Sequence, residues 1–135
     1  MLRVKAGVNV TNLCPEMWYA IGYAAAVHAG ITTADTVITS GNDGEHMEGS
    51  LHYAGRAVDL RTQDMSADAC MTWARRVRVL LAAQGFDVVL EFRPPHLHIE
   101  YDPKPGEHFS LPPLPPEAPA KPQGESGASQ PKEEA

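Results

Sequence analysis

The sequence predicts an α+β domain with a mainly antiparallel sheet, two flanking helices and a proline-rich C-terminal tail. Three observations predict it. Two stretches carry helical periodicity between recognisable start and stop signals. Several short β-branched stretches follow one another with no helix between them, which favours antiparallel neighbours. From residue 111 the chain reads LPPLPPEAPAKPQGESGASQPKEEA, with no large apolar residue after Leu114. Such a segment cannot bury enough surface to offset its ordering entropy. Residues 1–110 are therefore expected to form one domain and residues 111–135 a disordered tail. A chain of 135 residues supports one core and little more.

The elements follow in order. Residues 4–10 supply a short strand, weakened by Gly7. A first helix covers residues 15–29. Pro15 suits its first position, Glu16 favours the positive end of the dipole, and Gly30 follows its end. The β-branched residues 36–39 form a strand that stops at the turn-rich Ser40-Gly41-Asn42-Asp43-Gly44. Residues 57–61 form the next strand. A second helix covers residues 67–84, capped by Ser66 and stopped by Gly85. Cys70, Trp73, Ala74, Val77, Leu80 and Leu81 recur at helical spacing as its core stripe. Residues 86–91 and 97–101 complete the sheet. Trp18 and Trp73 are both expected to anchor the core.

Charge and composition exclude several roles. A formal charge of −6 argues against nucleic-acid and anionic-membrane partners. Arg75, Arg76 and Arg78 read as a solvated helix face. No apolar run is long enough to span a bilayer, and the N-terminus lacks the features of a secretory signal. Cys14 and Cys70 form no C-x-x-C pair and read as buried thiols, with a disulfide between them left open.

The chemistry gathers in two segments. Ser50-Leu51-His52-Tyr53-Ala54-Gly55-Arg56-Ala57-Val58-Asp59-Leu60 is followed some forty residues later by Pro95-His96-Leu97-His98-Ile99-Glu100-Tyr101. Strand side chains alternate faces. Asp59 thus lies opposite the apolar Val58 and Leu60, and His96, His98 and Glu100 lie opposite Leu97 and Ile99. Two strands can set Asp59 beside His98, and the tight Ala54-Gly55 stretch can fold His52 back over the same surface. Taken singly, His52, His96, His98 and Glu91 each suit an ordinary surface position. Asp59 does not, because a carboxylate in an apolar strand needs a partner or a metal. Together they favour a zinc site with three ligands and one open position. Glu91, at the end of a strand before the histidine pair, is the best-placed carboxylate to move a proton there.

Residues 50–60 resemble the S-x-H-x-x-G-x-A-x-D signature of zinc peptidases that include D-Ala-D-Ala carboxypeptidases and L-Ala-D-Glu endopeptidases of bacteria and phages. They resemble still more the amino-terminal signalling domain of hedgehog proteins, which shares that fold. The similarity runs over residues 36–104. It implies Zn2+ as cofactor, with His52, Asp59 and His98 as ligands. It implies Glu91 as general base, with His46 and His96 as further active-site histidines. One residue more than in hedgehog-type sequences separates Glu91 from the histidine pair. Asp43, Glu45 and Glu48 are weak candidates for calcium. The expected function is a monomeric zinc peptidase acting on peptidoglycan stem peptides. It would be made in the cytoplasm and released to the cell wall or carried by a phage. The alternative is a non-catalytic hedgehog-like zinc-binding recognition module. A third, weaker reading is a domain whose zinc only holds the fold together.

Overall fold

The structure is a computed structural model and describes residues 1–42 and 48–110. The tail expected at residues 111–135 lies outside the described residues. Among the described residues five strands and two helices alternate irregularly: β1 (Leu2–Val4), α1 (Pro15–Ala29), β2 (Thr36–Ser40), β3 (Ala57–Leu60), α2 (Ala67–Leu81), β4 (Phe86–Phe92) and β5 (Pro95–Tyr101). The strands form one sheet in the order β1-β2-β3-β5-β4. The expected α+β class holds, but the sheet is mixed rather than mainly antiparallel. β1 runs parallel to β2, while β2–β3, β3–β5 and β5–β4 are antiparallel. The reason is the connection: α1 separates β1 from β2, and a helical crossover returns the chain in the same direction.

Both helices cover one face of the sheet. Val58 and Leu60 of β3, Leu97 and Ile99 of β5 and Val88 of β4 pack there against Met17, Ile21, Trp73, Val77 and Leu81. The Trp73 indole N–H donates to the Ala24 carbonyl at 2.9 Å, tying α2 to α1. Ser66 caps α2 by accepting from the Ala69 N–H. The helix ends at Leu81, and one 3-10 turn, Ala82–Gln84, carries the chain to Gly85.

Several expectations change. Trp73 is buried, but Trp18 is 40% exposed and anchors nothing in the core. The face α1 buries is Met17, Ala20, Ile21, Ala24 and His28. Leu80 also lies at the surface. The first strand is residues 2–4 rather than 4–10, because the chain turns at Ala6-Gly7. Cys70 is buried and Cys14 half-buried, and both are free thiols. Among the described residues no helix is long and apolar enough to cross a membrane.

Candidate metal centre

The sheet face turned away from the helices carries the polar residues. Register decides which of them meet. Asp59 of β3 pairs with His98 of β5, and His98 pairs with Val89 of β4. One step along, Ala57, Glu100 and Asp87 align across the same three strands. At the hairpin, Glu91 pairs with His96. The Arg93-Pro94 turn closes this hairpin, so Glu91 and His96 face each other across it.

His52 reaches this face from a turn. The Tyr53, Ala54 and Gly55 N–H groups donate to the carbonyls of Ser50, Leu51 and His52, and the His52 N–H donates to the Ser50 hydroxyl. Gly55 closes the turn at φ +71°, and a Cβ there would run into the Asn12 carbonyl oxygen. The Gly55 carbonyl in turn accepts from Cys14, so the turn is fastened to the start of α1.

The donor atoms of His52, Asp59 and His98 all lie within 4.8 Å of one another. His98 Nδ1 is 2.9 Å and His52 Nε2 3.5 Å from Asp59 Oδ1. Ligands about 2.0–2.2 Å from a tetrahedral ion lie roughly 3.3 Å apart, so this donor set fits zinc. The outer partners fit as well. His52 Nδ1 meets the Gly41 carbonyl at 2.7 Å, which leaves Nε2 for an ion. His98 Nε2 meets Glu100 at 2.7 Å, which leaves Nδ1. Sequence reasoning placed Glu100 on this face and assigned it no role. The H-x-E spacing was the available signal.

Electrostatics agree with the contacts. Burial works against an Asp59 carboxylate. Hydrogen bonds from His52 and His98 outweigh burial and hold the carboxyl well below the usual range. Burial likewise works against a His98 imidazolium, yet Asp59 and Glu100 raise its pKa to about 9. Without metal, His98 is thus a cation at neutral pH, donating from both ring nitrogens. Metal binding there must release that proton.

His96 stands beside the cluster. Its Nε2 is 3.5 Å from Asp59 and 3.3 Å from Glu91, and its Nδ1 contacts the Pro94 carbonyl at 2.7 Å. Glu91 sits at the exposed rim. His46, Asp43 and Glu45 lie outside the described residues, while Glu48 borders the pocket. The pocket over the cluster encloses about 720 Å³ and opens to solvent between Glu48, Ser50, His52, Glu91, His98 and Glu100.

Fold and site together define a small α+β domain with a His-Asp-His centre on an open sheet face. Residues 19–100 match the hedgehog amino-terminal signalling domain, and the chain belongs to that family. It is 43% identical over 56 residues to the Sonic hedgehog protein of Danio rerio, covering 42% of this chain and 12% of that protein. The Indian hedgehog proteins of Xenopus laevis and Gallus gallus match at the same identity and length, each covered to 13%. The chain thus spans about an eighth of the curated relatives it matches.

This membership corrects the enzymatic expectation. The matched family is a signalling domain, so the zinc peptidase activity, the peptidoglycan substrate and the bacterial or phage cell-wall setting are not supported. The physical reason is that the histidine-aspartate signature encodes only a convergent set of donor atoms. Ligands alone do not encode hydrolysis.

Proposed function

We propose that the chain is a non-catalytic recognition module of the hedgehog signalling type. Zinc at His52, Asp59 and His98 would form part of its partner-facing surface, and a receptor-like protein is the class of partner. The observation that carries this reading is the convergence of the three donors at the floor of an open pocket of about 720 Å³. Three protein ligands leave zinc a fourth position, which a donor from a partner can take. The apolar core lies on the opposite face and is continuous without the centre, which argues against a zinc that only holds the fold together.

Calorimetric titration tests the metal. One Zn2+ per chain is expected, with binding lost in His52→Ala and Asp59→Ala while circular dichroism stays that of the parent. Cobalt substitution tests the open position. The visible bands of the Co2+-loaded protein should shift when imidazole is added. A spectrum that ignores imidazole would mean a closed, structural site. Unfolding on chelation would mean the same.

A further inference from the structure

Beside the metal centre lies a second pocket of about 280 Å³, lined by Lys5, Thr39, Arg61, Gln63, Asp59 and His96 among others. It shares Asp59, Pro94 and His96 with the larger pocket, so the two adjoin on one face. We infer that this smaller pocket, with Lys5 and Arg61 at its wall, binds a single carboxylate of a polypeptide partner next to the metal centre.

Three observations carry it. First, Lys5 and Arg61 make no ion pair among the described residues, whereas Arg3 is bound to Asp35 and Lys104 to Asp87 and Asp102. Both are held by backbone bonds that fix where their side chains start: the Lys5 N–H donates to Ile38 and the Arg61 N–H to Val37. Second, among the described residues Asp59 is the one acid lining the pocket, and its Oδ1 faces three imidazoles, at 2.9 Å from His98 and 3.5 Å from His52 and from His96. That oxygen is shared among the imidazoles, and Asp59 forms no ion pair with Lys5 or Arg61 among the described residues. Third, two cations in a space this small suit one oxyanion, and the planar Arg61 fork suits a carboxylate held by two parallel bonds. A polyanionic chain is disfavoured, because the molecule carries a formal charge of −6.

The inference rests on the recognition reading of this face and not on the metal itself. The test is an NMR titration of the full chain, chelator-treated, with the α-amide of N-acetyl-aspartate. The uncharged N-acetyl-asparagine amide and inorganic phosphate serve as the other arms. The aspartate probe should give saturable shifts at the amides of residues 39, 61 and 63, and the asparagine probe should give none. Arg61→Gln should weaken binding about tenfold, through loss of a bidentate charge-assisted pair. Lys5→Gln, at an exposed position that tolerates change, should weaken it about threefold. His52→Ala should lose zinc and keep the aspartate response. Absence of saturable shifts overturns the inference, as do shifts that persist in both basic-site variants. Tighter binding of phosphate than of the carboxylate overturns the choice of ligand. Zinc binding without any aspartate response removes this pocket and leaves the metal reading standing.

Discussion

Glu100 shows how a residue outside the His52-Asp59-His98 donor set can still set the chemistry of the centre. It holds His98 Nε2 at 2.7 Å, which turns Nδ1 toward Asp59 and raises the basicity of the ring. Glu100→Gln keeps the shape and removes the charge. Zinc affinity should fall about 10–100-fold, the usual cost of losing such an orienting partner. The His98 pKa of the metal-free protein should drop from about 9, because one of its two raising partners is gone. Competition with a chromophoric chelator and NMR titration of the ring measure the two effects. Unchanged values in both would remove Glu100 from the centre. The site was legible to the extent that alternation assigns faces: His96, His98, Glu100 and Asp59 were placed together from sequence alone. The choice between His96 and His98, and the part played by Glu100, depend on cross-strand register and ring orientation. No local pattern carries these. The Gly41 carbonyl behind His52 was equally invisible, since a backbone acceptor can come from any residue type.

At the scale of elements, the β3–β5–β4 ladder and the turn carrying His52 act as separate supports for one cluster. Gly55 is the joint of the second. A side chain there meets both a left-handed backbone and the Asn12 carbonyl, so Gly55→Ala should destabilise the fold by about 1–3 kcal/mol. It should also weaken zinc binding more than a core truncation of equal cost, because His52 rides on the turn. Urea unfolding with parallel zinc titration separates the two effects. Equal losses of metal affinity in both variants would show that the turn does not position His52. The helices were legible because Pro15, Ser66 and Gly85 punctuate them and α2 carries a clear apolar stripe. α1 has apolar residues around most of its circumference, so periodicity could not say that Trp18 faces outward. The parallel pairing of β1 was not legible either. Three exposed residues carry no alternation, and their direction is set by the α1 crossover.

For the whole molecule, three titrating groups divide the pH axis. Asp59 has a lowered pKa. Its contribution to stability is complete above the unfolded value of about 3.9 and is lost only below it, as pH falls toward the lowered native value. His28, buried against Trp73 with ring centroids 4.8 Å apart, has its pKa lowered chiefly by burial. The fold therefore weakens as pH drops below about 6.5, where the unfolded chain takes up that proton and the native one resists it. His98 has a raised pKa. Its contribution is complete below about 6.5 and lost as pH climbs toward about 9. The metal-free protein should thus be most stable near neutrality. It should lose on the order of 2 kcal/mol between pH 6.5 and 9, a figure already reduced for solvent screening in the open pocket. Zinc bound at His98 would reverse this slope. The ion would take the place of the proton, so its affinity should grow as the proton becomes easier to remove. Melting temperatures measured across that window, with excess Zn2+ and with chelator, should therefore diverge as pH rises. His28→Phe should flatten the acidic limb and leave the alkaline one unchanged. Parallel curves with and without zinc would show that the ion does not compete with the His98 proton, and would remove His98 from the ligand set.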